Sequence, residues 1–151
     1  MSNVRYFTYI EKMIPAYEEI IEHNKTMVDL IVYRDTDKYD IKNGKDKRWK
    51  SDVFRFMVLR DNPYWIWVDA DCKILKTIDF HMEPKPYFMY VSGEVEIALA
   101  IGNGCKKFFS DVCKAVKPKI GWAQDYIGSR RDEIKYVPKG YFKHFGLHKL
   151  R

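Results

Sequence analysis

Cysteine is scarce. Cys72, Cys105 and Cys113 are the only three, an odd number without zinc-ligand or redox spacing, so neither a disulfide framework nor a structural zinc site has support. Reduced thiols in a cytoplasmic protein are the expectation. No run approaches the roughly 18 apolar residues of a membrane span, and the N-terminal MSNVRYFTYIEKMIP lacks a signal-peptide core. We therefore expect no transmembrane segment. Repeats and low-complexity stretches are absent, and so are G-x-G-x-x-G, the Walker loop, H-E-x-x-H and G-x-S-x-G. The dinucleotide, P-loop, zinc-protease and serine-hydrolase readings therefore have no motif to rest on.

What the sequence does contain suits a globular protein. Its 151 residues are 46% hydrophobic and 16% aromatic, enough for one core, and a single compact domain over 1–151 is expected. The net charge of +6 and pI near 9.1 favour an anionic partner: nucleic acid, an anionic surface or a phosphorylated small molecule. Positive residues concentrate at 42–50 and 135–151, whereas Glu11, Glu18, Glu19 and Glu22 make the first helix candidate acidic.

The order of elements narrows the fold. VRYFTYI (4–10) is β-branched and aromatic and reads as a strand. Met13, Ile14, Tyr17, Ile20 and Ile21 then recur at helical spacing, with Pro15 tolerated in the first turn and an end expected near Asn24. MVDLIVYRD (27–35) reads as a second strand and 48–59 as a second helix, with Trp49, Val53, Phe56 and Met57 on one face. Asn62-Pro63 stops that helix before the strand YWIWVDAD. Such alternation predicts an α/β fold, a mostly parallel central sheet flanked by helices. Beyond it lie candidate strands at 87–91 and 95–101, then a helix capped by Asn103 or Gly104 that aligns Cys105, Phe108, Phe109, Val112 and Val116. A short helix in IGWAQDYIG, a strand in EIKYVP and a tail from Gly140 complete the chain.

Asp69 and Asp71 close the third strand. Residues i and i+2 of an extended segment point the same way, so both carboxylates can meet one hard cation, Mn²⁺ or Mg²⁺, at the strand end where open α/β sheets bind ligands. The competing reading is a solvated turn in which one Asp caps the next segment. Upstream, Asp52 and Arg55 share a helix face at i,i+3, a spacing that an ordinary ion pair also explains.

The run KSDVFRFMVLRDNPYWIWVDADCKIL (50–75) resembles the sugar-binding region of GT-A fold glycosyltransferases. It is most similar to the retaining group that includes yeast α-mannosyltransferases and the clostridial-toxin glucosyltransferase domains, whose pattern is S-D-x-x-R, an apolar strand, then D-x-D. Asp61-Asn62-Pro63-Tyr64 stands where family members have a Gly-Gly-hydrophobic-Tyr turn. The resemblance implies a minimal GT-A, Rossmann-like nucleotide-sugar-binding fold. In it Asp71 binds the metal directly, Asp69 the metal or ribose, and Asp52 and Arg55 the hydroxyls of donor sugar or ribose. The end of the first strand, Thr8 and Tyr9, would then line the base or ribose.

Two later segments resemble the glycogenin-like branch. WAQDYIG (122–128) places Gln124 and Asp125 where that branch has residues near the transferred sugar, although Ala123 and Gly128 depart from its pattern; a helix-start carboxylate explains Asp125 equally. FKHFGLHK (142–149) is similar to a C-terminal segment whose His completes the metal shell and whose Lys meets the diphosphate. That implies His144 as metal ligand and Lys149 as phosphate contact, with His148 a rival ligand and the spacing to Lys149 one residue short.

The activity implied is metal-dependent transfer of a sugar, with retention, from a nucleotide-diphosphate sugar (UDP- or GDP-linked) to an acceptor hydroxyl on a glycan, a lipid-linked sugar or a protein. The chain is short for the family, so a non-catalytic nucleotide-sugar-binding domain is the alternative. A basic nucleic-acid-binding module ranks behind both, because Asp40, Asp46 and Asp52 interrupt the basic run and no nucleic-acid-reading motif accompanies it.

Overall fold

Aromatic and β-branched residues alternate faces near the N-terminus, and there the first strand forms. A computed structural model describes residues 4–41, 47–115 and 123–147. It runs β1 (Tyr6–Tyr9), α1 (Pro15–Met27), β2 (Leu30–Tyr33), α2 (Lys47–Asp61), β3 (Ile66–Val68), β4 (Cys72–Ile74), β5 (Tyr87–Val91), β6 (Glu94–Ile101), α3 (Lys106–Ala115), α4 (Ala123–Ser129), β7 (Lys135–Tyr136) and β8 (Phe142–His144). Six strands make the central sheet, in the order β2-β1-β3-β6-β5-β7. Among these six, β6 alone runs against the rest, so the sheet is mostly parallel, as the alternation predicts.

The period of two sorts side chains onto two apolar layers. Phe7 and Trp67 join Phe54, Phe56 and Leu59 of α2, Phe108 and Phe109 of α3, and Ile127 of α4. Tyr6, Ile66, Val68, Leu99 and Ile101 face the other way, onto Ile74 and Phe142 of the small β4-β8 sheet. A third cluster joins Ile10 and Ala70 to Tyr17 and Ile21 of α1. Near the end of β6 a close approach demands glycine, since a Cβ on Gly102 would stand 2.2 Å from the Pro63 carbonyl oxygen.

Several local expectations are corrected. The third strand ends at Val68, and the acidic pair lies beyond it in a turn closed by the Cys72 N–H donating to the Asp69 carbonyl at 2.9 Å. The first helix continues through Asn24 to Met27 because the Asn24 amide serves elsewhere: it donates to Cys72 O at 2.9 Å and accepts from Ile74 N at 2.8 Å. The expected tail contains a strand, β8. Asn103 does not take the extended conformation of an N-cap. It sits at φ 51°, followed by Gly104 at φ 80°, and its amide donates to the carbonyls of Glu83 (2.6 Å) and Lys85 (2.9 Å). Val116 lies outside the described residues.

Candidate metal centre

Three ligand atoms meet at the C-terminal edge of the parallel strands. One atom each from Asp69, Asp71 and His144 lies within 4.8 Å of the others. The acidic pair converges through the turn, and not through the strand alternation the spacing predicts. Ala70, between the two aspartates, is 4% exposed and packs with Ile10, Tyr17 and Ile21, which anchors the turn in the core.

Asp71 is the more deeply buried aspartate, at 4% exposure. Its Oδ2 accepts the Leu147 N–H at 2.7 Å, its Oδ1 stands 3.1 Å from His144 Nε2, and its carbonyl accepts the Phe145 N–H at 3.0 Å. His144 arrives by strand register, since β8 pairs antiparallel with β4 and sets Cys72 opposite His144. The other side of β4 is held by α1, through the Asn24 amide and through His23 Nε2 donating to Ile74 O at 2.8 Å. Two elements distant in sequence thus fix one three-residue strand.

Asp69 is held from the opposite layer. Its Oδ1 accepts the Trp67 indole N–H at 2.7 Å and stands 3.3 Å from Arg55 Nη1; its Oδ2 is 3.8 Å from His144 Nε2. Arg55 is itself buried. Its Nη1 donates to Ile97 O at 2.8 Å, its Nη2 donates to Ser51 Oγ at 3.1 Å and stands 3.3 Å from Asp52 Oδ1, and its guanidinium lies 4.3 Å from the Trp67 ring centroid. Asp52 and Arg55 therefore pair with each other, and Arg55 passes that constraint to Asp69.

The electrostatics arise from these contacts. Burial pushes the Asp71 carboxyl up, but the His144 hydrogen bond and charge and the Leu147 N–H outweigh it, so its pKa falls below the usual value. The hydrogen bond to Asp71 raises the His144 pKa against the opposing effect of burial, with added attraction from Asp71, Asp69 and Glu96. Two carboxylates and an imidazole form a donor set that Mn²⁺ accepts. The oxygens also suit Mg²⁺, for which the nitrogen is a poorer ligand.

Of the other expected residues, Asp125 lies on the exposed first turn of α4, and Gln124 Nε2 donates to Val95 O at 2.6 Å. Thr8 is 1% exposed with its hydroxyl unpartnered, and the half-buried Tyr9 ring lies 5.7 Å from Phe54. Lys149 and His148 lie outside the described residues. One acid escapes the sequence reading. A register shift in the β5-β6 pairing, where Phe88 faces Ala100 but Met89 faces Glu96, lets the Glu96 carboxylate accept the Ala98 N–H at 3.2 Å and act on His144. Nothing in Glu94-Val95-Glu96 distinguishes it from a surface strand.

No protein-family model matches the chain, and no curated protein sequence matches it. The fold is nevertheless a known one, that of a glycosyltransferase. A solved structure described as a glycosyltransferase involved in the glycosylation of the major capsid of PBCV-1 superposes with a TM-score of 0.67, covering 95% of this chain and 94% of that chain at 7% identity. At that identity the likeness is one of fold. Among the described residues no helix is long and apolar enough to cross a membrane.

Proposed function

We propose that residues 1–151 form one metal-dependent glycosyltransferase domain. It would transfer a sugar, with retention, from a UDP- or GDP-linked donor to an acceptor hydroxyl. The observation that carries this reading is the meeting of Asp69, Asp71 and His144 at the ligand-binding edge of a sheet whose fold a glycosyltransferase shares. A bound divalent cation supplies positive charge against the diphosphate leaving group.

The chain's own residues bind and orient. Asp69, Asp71 and His144 hold the cation. Arg55, fixed by Ile97 O, Ser51 and the Trp67 ring, keeps Asp69 aimed and offers cationic character beside the donor. Asp52, Asp125 and, at the β1 end, Tyr9 are assigned to donor hydroxyls, ribose and base, whereas the Thr8 side chain, 1% exposed, is withdrawn from that role. Lys149 is assigned to the diphosphate on the sequence alone.

Nucleotide sugars incubated with Mn²⁺ and assayed for released nucleotide test the proposal, with Asp71→Ala as control. Release by the native protein and its loss in the variant are expected. Equal release by both would sink the reading. Mn²⁺-dependent binding without release would make the chain a non-catalytic nucleotide-sugar-binding domain.

A further inference from the structure

β5 and β7 run parallel to β3, and β6 runs antiparallel to it. The C-terminal ends of β5 and β7 and the N-terminal end of β6 therefore share the sheet edge that carries Asp69 and Asp71. Along this edge the main chain of β6 is contacted in order. The Asp69 N–H donates to Ala98 O at 2.7 Å, Arg55 Nη1 donates to Ile97 O at 2.8 Å, and Gln124 Nε2 donates to Val95 O at 2.6 Å. Directly opposite Val95 in β5 stands Tyr90.

The Tyr90 ring meets Tyr136 of β7 at 4.8 Å between centroids, the planes tilted by 51°. Both rings are open to solvent, at 52% and 37% exposure. Most large aromatics of the molecule sit in the two core layers, so an exposed pair at the working edge of the sheet is unusual for this chain. With strands about 4.8 Å apart and a rise of about 3.4 Å per residue, Tyr90, opposite Val95, stands about 10 Å across the sheet and about 10 Å along it from the Asp69 contact at Ala98, roughly 14 Å in all, a span that a short oligosaccharide bridges.

The chemistry of the patch selects its occupant. Two rings are far less than the roughly 800 Å² per partner of a stable protein interface. A pyranose ring presents a flat face of C–H groups that stacks on an aromatic ring, while its hydroxyls need acceptors and donors around the rim. The two phenol hydroxyls supply these.

We propose that Tyr90 and Tyr136 form an acceptor subsite, binding a sugar ring of a glycan so that the chain of sugars leads toward the Asp69-Asp71-His144 cluster. This inference rests on the transferase reading for its role, but its binding chemistry is measured separately.

Maltotriose and cellotriose serve as probes in saturation-transfer NMR with the native protein, Tyr90→Ala, Tyr136→Ala and the double variant. Melting temperature and circular dichroism check that each folds. At least one trisaccharide is expected to take up saturation at its ring C–H protons. The signal should fall fivefold or more in the double alanine variant and survive in Tyr90→Phe/Tyr136→Phe. No saturation with the native protein, or a signal unchanged by the double alanine variant, overturns the subsite. Nucleotide release by the native protein is measured in parallel. Release without saturation sinks the subsite and leaves the transferase reading standing. Saturation without release upholds the glycan-binding surface and sinks the transferase reading.

Discussion

His144 Nε2 and Asp71 Oδ1 meet at 3.1 Å, joining the last described strand to the turn after β3. The contact raises the pKa of His144 from its ordinary 6.5 and lowers that of Asp71 from its ordinary 3.8. Linkage then gives each shift a sign. The raised histidine contributes stability that is complete below pH 6.5 and is lost as pH climbs through its folded-state value. The lowered carboxyl contributes stability that is complete above pH 3.8 and is lost as pH falls through its folded-state value. Without metal, the melting temperature of the native protein should exceed that of His144→Ala most between those two ordinary values, and the gap should narrow above neutrality. A gap that grows steadily with pH would contradict the pairing.

Metal binding should run the other way with pH. A cation at this site competes with the proton that His144 holds toward Asp71, so binding releases that proton. Mn²⁺ affinity, followed by calorimetry from pH 5.5 to 8, should climb by about tenfold per pH unit while His144 is protonated and level off once it is neutral. In His144→Ala the weaker residual affinity should lose most of this slope.

Arg55 holds Asp69 from a buried position, and its planar fork matters as much as its charge. Arg55→Lys keeps the cation but cannot reach Ile97 O, Ser51 Oγ, Asp52 and Asp69 together. We expect the Mn²⁺ dissociation constant to rise by roughly 10- to 100-fold, the range for partners that orient metal ligands. Arg55→Ala removes the buried cation that stands between Asp52 and Asp69, a loss of about 3–5 kcal/mol measurable by urea denaturation. An Arg55→Lys protein with native metal affinity would show that Asp69 is aimed by Trp67 alone.

Asn24 makes a comparable test on the other side of the site. Its amide satisfies Cys72 O and Ile74 N, both buried in β4. Asn24→Ala strands two main-chain groups at about 1–3 kcal/mol each and frees one edge of the strand that aligns His144. Stability and Mn²⁺ affinity should fall together, while Asn24→Asp, which retains only the acceptor toward Ile74 N, should fall between native and alanine.

How much of this was legible depends on the interactions that each residue answers to. The core strands and helices were readable because Phe7, Trp67, Phe54 and Phe109 obey periods that burial enforces locally. The pairing of Asp52 with Arg55 was readable from i,i+3 spacing, and the place of His144 beside the acidic pair from a motif resemblance. β4 and β8 were not, since three-residue strands have no period and exist because they pair with each other and with Asn24. Asn24 itself looked like a helix stop for the same reason: its partners are some 50 residues away. Asp69 and Asp71 were correctly placed together on the wrong geometric ground, because the turn depends on Ala70 finding Tyr17 and Ile21. Glu96 was hidden by a register shift that only strand pairing reveals.

That dependence on Ala70 yields the sharpest test of the site's architecture. Ala70 is the only side chain between the two aspartates, and its methyl occupies a space bounded by Ile10, Tyr17 and Ile21. Ala70→Leu adds three carbons where α1 meets the turn, at a cost of about 1–3 kcal/mol from overpacking. If the buried alanine anchors the turn, the larger side chain must push the Asp69–Cys72 segment outward. The carboxylates then separate although neither is altered. Ala70→Gly removes the methyl without crowding and gives the comparison. We expect Ala70→Leu to lose Mn²⁺ affinity by more than its loss of stability explains, and Ala70→Gly to lose stability with affinity nearly kept. Calorimetric titration of both variants below their melting temperatures separates the two effects, and equal Mn²⁺ affinities in the leucine and glycine proteins would mean the acidic pair is positioned by Trp67 and His144 without help from the core.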